Sequence, residues 1–226
     1  MRRIFLILGI VAGFFISCTE DSGDYVRTYY TEAEWQLAAR QILNLSLDTA
    51  LSHLCVTDGF NGNSTYRIGL PPEASAMSDT LKIHEEELLD NLIFTLNRAL
   101  EKSGESAKVS FTEIIAKTTF PDAAALFKSN VSSITPAFAD AKTSELVNAL
   151  QPVLLTNLKS TGAAGYWNTA LSLYRDYNEL PLNTDLSGYA TLQLVQSLFT
   201  EMSIEEMLIR TDSTHRTDAL KDILSR

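Results

Sequence analysis

The stretch LLDNLIFTLNRAL, residues 88–100, places Leu88, Leu89, Leu92, Ile93, Leu96, Ala99 and Leu100 at spacings of three and four. That recurrence is the 3.6-residue period of a helix with one face turned to a core, whereas a strand would alternate every second residue. Gly104 follows where a C-cap glycine is expected. Upstream, Thr31-Glu32-Ala33-Glu34 is a capping box, with a hydroxyl at the N-cap and a carboxylate three residues on. Trp35, Ala38, Ile42, Leu45, Leu47, Leu51 and Leu54 continue it as a helical stripe. Asp58-Gly59-Phe60-Asn61-Gly62-Asn63 interrupts the pattern with turn formers, and a loop reaches to Pro71-Pro72.

Downstream, the stripes are Phe111, Ile114 and Ile115; Ala123 to Phe127 behind Pro121; and Leu146, Val147, Leu150, Val153, Leu154 and Leu158. Thr135-Pro136 reads as an N-cap with a first-turn proline, and Pro152 predicts a break or kink near Ala149 to Gln151. Gly162 and Gly165 close that segment, and Ala170, Leu171 and Tyr174 follow. Beyond Pro181, Asp185 as N-cap opens a long helix carrying Leu192, Val195, Leu198, Phe199 and Met202, and short helices end the chain near Leu220 to Leu224. The expectation is an all-α, single multi-helix domain over residues 30–226, with about seven to nine helices.

The first residues read as an address. Arg2 and Arg3 precede an apolar run from Ile4 to Ile16 that ends at Ser17-Cys18, the layout of a signal peptide. At roughly 20 Å of helix, the run is short of a membrane span. A small residue directly before a Cys resembles the lipobox of bacterial lipoproteins, so residues 1–17 are expected to be removed and Cys18 lipidated. Acyl chains at Cys18 would then anchor the protein to a membrane. Residues 18–29 form an acidic tether containing Glu20, Asp21 and Asp24. Its acidic residues, with no Asp directly after Cys18, look like the signals that send lipoproteins to the outer membrane, on its periplasmic or surface face.

Composition narrows the partners. The 226 residues hold 18 Lys and Arg against 28 Asp and Glu, a net charge of −10, and loss of Arg2 and Arg3 with the leader makes it −12. Such a surface repels phosphate backbones, so no nucleic-acid partner is expected. Two Cys, three His and ten Gly supply neither a disulfide framework, nor a multi-Cys zinc site, nor a glycine-rich nucleotide fingerprint. No cofactor or metal is expected.

Several segments resemble one family. Asp58-Gly59-Phe60 with Arg67-Ile68-Gly69-Leu70-Pro71, then Leu96-Asn97-Arg98-Ala99-Leu100-Glu101, then Tyr189 through Leu198-Phe199, Glu205-Glu206, Ile209-Arg210 and Arg216-Thr217-Asp218-Ala219-Leu220-Lys221 occur in the order seen in the bacterial domain of unknown function 4197. Leu96 and Leu100 stand where that family has Met and Ala, and Ser197 where it has Gly. The resemblance implies a largely helical, envelope-directed protein and implies no activity, cofactor or catalytic residue.

Individual residues give restrained readings. His84-Glu85-Glu86-Glu87 lacks the second His of a zinc helix, because position 88 is Leu. Asp58, Asn61 and Asn63 lack the spacing of a calcium loop and read as turn chemistry. Glu201, Glu205 and Glu206 sit at helical spacing, and Arg210 stands four residues after Glu206 as an ion-pair partner. Cys55 between Leu54 and Val56 reads as a small hydrophobe. Tyr166, Trp167, Tyr174 and Tyr177 read as core. Arg67, Asn97, Arg98, Glu205, Glu206 and Arg210 are the candidate structural or ligand-contacting polar residues; for Arg67, Asn97 and Arg98 internal hydrogen bonds and ion pairs are the favoured reading, because buried polar groups require partners.

The functional expectation is a non-catalytic helical envelope lipoprotein that binds a protein or small-molecule partner. A structural envelope component is the alternative, and an enzyme with an unrecognised site comes third. Lipidation is directly testable. Cys18→Ala is expected to abolish acylation and leave a precursor or a soluble product, and mass spectrometry of the mature N-terminus distinguishes these from cleavage elsewhere.

Overall fold

In a computed structural model that describes residues 29–178, 182 and 184–225, the chain is a single all-α domain. The apolar run, Cys18 and the acidic segment through Thr28 lie outside the described residues, as does Pro181. Among the described residues there are nine α-helices and two 3-10 turns, and no strand. The helices are α1 (Glu32–Leu54), α2 (Ser75–His84), α3 (Glu86–Glu101), α4 (Gly104–Lys117), α5 (Ala123–Lys128), α6 (Ile134–Thr161), α7 (Ala163–Asn178), α8 (Leu186–Thr211) and α9 (Asp218–Leu224).

Local signals fix several helix starts. Thr31 accepts the Glu34 N–H while the Glu34 carboxylate takes the Thr31 N–H at 2.8 Å, so both halves of the capping box form. Asp185 accepts the N–H groups of Ser187 and Gly188, both at 3.0 Å, and starts α8. At the far end of α6, Gly162 has φ +92°, a left-handed C-cap conformation that a side chain would strain.

Packing follows from how much of each helix is apolar. In α8, the buried positions Ala190, Leu194, Val195, Leu198, Phe199 and Met202 spread over about half of the circumference, wide enough to meet two neighbours, while Gln196, Thr200, Ile204 and Met207 keep the opposite stripe exposed. It lies against α1 on one side and α6 on the other, while α3 packs on α6 and carries α7 and α2. Phe111 of α4, Phe138 of α6 and Phe199 of α8 meet with ring centroids 5.5–6.5 Å apart and join three helices in one aromatic cluster. The α3 stripe is narrower, burying Leu89, Leu92, Leu96, Ala99 and Leu100 on one side.

Four expectations are corrected. Gly104 is not a C-cap: α3 ends at Glu101 with helical backbone at Lys102, and Gly104 is the first residue of α4. Its role is steric, because a Cβ there would stand 2.6 Å from the Cys55 Cβ. Gly165 does not close a segment but lies inside α7. The helix expected to begin behind Thr135 has Ser133 as its N-cap, so Pro136 sits in the first turn, where its missing N–H leaves no helical bond unmade. Finally, α6 runs unbroken through Pro152 over 28 residues. Packing on α8 and α3 offsets the lost backbone donor, so the expected break does not occur.

Gly104→Ala is expected to destabilise the domain by about 1–3 kcal/mol through overpacking, read as a lower unfolding midpoint. The same loss should persist in a Cys55→Ala background, since the obstructing atom is Cβ and not the sulfur.

Candidate functional site

The chain leaves α1 through a loop that must satisfy its own backbone. Asp58 adopts φ +67° there, and the loop then doubles back across α3. The Asn97 carboxamide meets the Ile68 peptide on both sides: Oδ1 accepts the Ile68 N–H and Nδ2 donates to the Ile68 carbonyl, each at 2.9 Å. One turn further along the same buried face, Glu101 Oε1 accepts the N–H groups of Phe60 at 3.1 Å and Asn61 at 2.9 Å. Arg98 donates from Nη1 to Glu101 Oε2 at 2.6 Å and from Nη2 to Asp58 Oδ1 at 2.7 Å, with its guanidinium 4.9 Å over the Phe94 ring. Arg67 is exposed and donates to the Asn61 carbonyl at 3.3 Å. The three candidates therefore serve one loop, Arg67 from within it and Asn97 and Arg98 from α3, and each engages a different part of it.

From the other side, α8 completes the clasp. Tyr189 donates its hydroxyl to the Gly69 carbonyl at 3.3 Å. Glu201 pairs with His53 at 3.3 Å and bonds the Tyr66 hydroxyl, whose pKa is raised by burial first and by Glu201 second. Cys55, at the start of the loop, is a half-buried free thiol pushed up to about 12 by burial and then by the Glu101 charge. It is protonated at neutral pH and therefore a poor nucleophile.

A second cluster joins α8 to the N-terminus of α6. Ser133 offers no side-chain cap to α6. Glu206 replaces it: Oε1 accepts the N–H groups of Ser133 at 3.0 Å and Ile134 at 2.9 Å, and Oε2 accepts that of Thr135 at 2.7 Å. The carboxylate is fully buried and pairs with Arg210 at 3.0 Å. Arg210 also donates to the carbonyls of Phe127 at 2.7 Å and Leu126 at 3.3 Å, closing the C-terminal end of α5. The pair expected from i,i+4 spacing is thus buried structure. Glu205 is occupied separately by His215 at 2.9 Å, and that hydrogen bond is the main cause of a raised His215 pKa. Among the described residues no group of His, Cys, Asp and Glu has the makings of a metal site. His84 instead stacks on Tyr177 at 5.0 Å. Trp167 and Tyr174 are buried, Tyr166 is partly buried, and Tyr177 is 48% exposed.

Beside Arg210 lies a pocket of about 590 Å³, within the range of about 300–1,000 Å³ common for small-molecule sites. Trp35, Phe127, Val131, Ile223 and Leu224 give it apolar walls, and the exposed Tyr29 and Lys128 stand at its rim. Tyr30, Trp35 and Phe127 form a ladder of rings, with centroids 5.4 Å and 4.8 Å apart. The sequence shows Trp35 only as a member of a helical stripe, because the rest of the pocket comes from distant segments. Glu101 was similarly unmarked, although its place four residues after Asn97 puts it on the same helix face.

A family model described as a protein of unknown function (DUF4197) matches residues 29–224. The chain belongs to this family. Searches of curated proteins and of solved structures each return no match. Of the DUF4197 segments noted in the sequence, the loop after α1 and the α3 residues that hold it meet in one cluster, and the part of α8 carrying Glu206 and Arg210 caps α6 in another.

In this DUF4197 domain, Glu206→Ala is expected to cost about 3–5 kcal/mol, since it leaves Arg210 buried without its partner and three N–H groups unsatisfied. Arg98→Ala should cost about 1–3 kcal/mol by leaving the Glu101 carboxylate short of one charged donor. Urea unfolding of the two variants beside the parent protein measures both values and their order.

Proposed function

We propose that this protein is a lipid-anchored envelope lipoprotein that acts by binding a small molecule in the pocket beside Trp35. The carrying observation is the pocket itself, a concave apolar volume with an aromatic ladder and a few polar groups at its edge. The sequence supports the anchor through the apolar leader and Cys18, and places acidic residues between that Cys and the domain. An outer-membrane address is the reading that those acidic residues favour. Arg67 and Arg98 are engaged in holding the loop, whereas the pocket beside Trp35 is a concave surface open to a partner.

A thermal-shift screen of fractionated bacterial organic extract tests the binding reading. At least one fraction is expected to raise the melting temperature of the purified protein and to leave Val131→Trp unmoved, because the larger side chain obstructs the pocket wall beside Phe127. Val131 is 45% exposed, so its replacement spares the core. A ligand at about 100 times its Kd would add about 2.7 kcal/mol to the stability. Extract fractions that shift both proteins equally, or neither, defeat the proposal.

A further inference from the structure

The last helix is too short to stand alone. α9 has seven residues and receives no side-chain cap from Thr217, whereas isolated helices below about 12–15 residues are marginal in water. Its order comes from docking, as Leu220 and Ile223 enter the core and α9 packs on α1. Two side chains fasten the turn that brings it back from α8. Arg216 donates to the α8 carbonyls of Ile209 at 2.7 Å and Arg210 at 2.8 Å, and to that of Leu224 at 3.4 Å, so it staples both ends of the return. His215 places Nδ1 at 2.9 Å from Oε1 of Glu205, a buried carboxylate on α8. The two fasteners differ in one respect: the guanidinium keeps its charge at any pH the protein tolerates, while an imidazole changes charge near neutrality. Ile223 and Leu224 also belong to the wall of the Trp35 pocket, so displacing α9 opens that side of it.

We propose that α9 is a flap on the Trp35 pocket with His215 as its proton latch: the imidazolium on Glu205 holds the flap down, and the neutral ring lets it lift more often. The latch is a property of the ligand-free domain, and only its use, controlling access to the pocket, rests on the binding reading above. The charges around the ring agree on the sign. Glu205 meets it from α8 and Asp212 from the junction, whereas Arg216 is occupied by carbonyls, Arg210 by Glu206 and Lys221 by Asp218. The Glu205 hydrogen bond, followed by the attraction of Glu205 and Asp212, raises the His215 pKa against the effect of desolvation. A histidine raised on folding contributes its full stabilisation below its ordinary value of about 6.5 and loses it as the pH climbs past the folded value. The flap is therefore firmest in mild acid and loosens toward alkaline pH. A neutral ring can still donate from Nδ1, and Arg216, Leu220 and Ile223 remain in place, so the closed form stays dominant and the frequency of opening changes.

Amide hydrogen exchange of the purified protein, followed on peptides from α9 and from α6 as the reference, tests the latch. Between about pH 5.5 and about pH 8.5, after correction for the intrinsic pH dependence of exchange, the α9 amides are expected to lose about threefold or more of their protection relative to α6. His215→Gln, which keeps a donor without a titrating charge, should show the alkaline level at both pH values, and Glu205→Gln should also remove the step. In NMR titration the His215 ring signal, assigned by its absence from His215→Gln, should change at the same pH as the α9 amides. Acrylamide quenching of Trp35, taken as the difference from Trp35→Phe, reads access to the pocket and should rise over the same interval. Equal α9 protection at both pH values, or a step that survives in His215→Gln, overturns the latch. A step in protection without one in Trp35 quenching overturns the flap's control of the pocket. Extract fractions that stabilise the protein when the step is absent leave the binding reading standing, and a step with no stabilising fraction removes that reading alone.

Discussion

The Glu206 carboxylate is the constraint through which α8 organises the domain. A helix N-terminus presents orphan N–H groups and partial positive charge, and burying them without acceptors costs several kcal/mol. At α6 three of these groups end on one carboxylate donated by another helix. A buried carboxylate alone would be costly in turn, and Arg210 meets that demand from the next turn of α8 while also closing the end of α5. The start of α6, the end of α5 and the register of α8 are consequently fixed together. The walls of the Trp35 pocket depend on the same lock, because Phe127 is in the last turn of α5 and Val131 lies between the two ends that it joins.

The loop after α1 obeys similar logic with weaker parts. A loop that crosses a helix face brings peptide groups away from water, and each needs a partner. Asn97 pairs both groups of Ile68, and Glu101 takes two N–H groups from Phe60 and Asn61. The apolar members of the loop, Phe60 and Ile68, can then enter the core. Polar side chains on α3 thus position hydrophobic ones, and Arg98 screens the one carboxylate among them.

Much of this was legible because it is local. The period of α3, the Thr31 capping box and the Asp185 cap each lie within a few consecutive residues, so pattern and structure coincide. The start of α6 was not legible: its acceptor lies 71–73 residues away, and Thr135-Pro136 gave a plausible local substitute. Gly104 misled for a related reason, since a glycine past a helical stripe reads as a C-cap unless the approach of Cys55 is known. The pocket was hidden more deeply. Trp35, Phe127, Val131 and Ile223 become neighbours only when α1, α5 and the C-terminal helices assemble. Asn97 and Arg98 stood out as polar residues within an apolar stripe, but their partners could not be named before the loop was placed.

The pairing of α1 with α8 also sets a timetable. Ribosomes deliver the N-terminal helix first, yet its largest partner begins 132 residues after it ends. At about 5–20 residues per second, α1 waits roughly 7–26 s for that partner to be made. During this interval the face of α1 that meets α8 lacks its main cover, while α4 and α5, made earlier, already pack on the same helix. The domain is therefore completed late in synthesis: a fragment ending before α8 leaves one face of α1 without its largest partner.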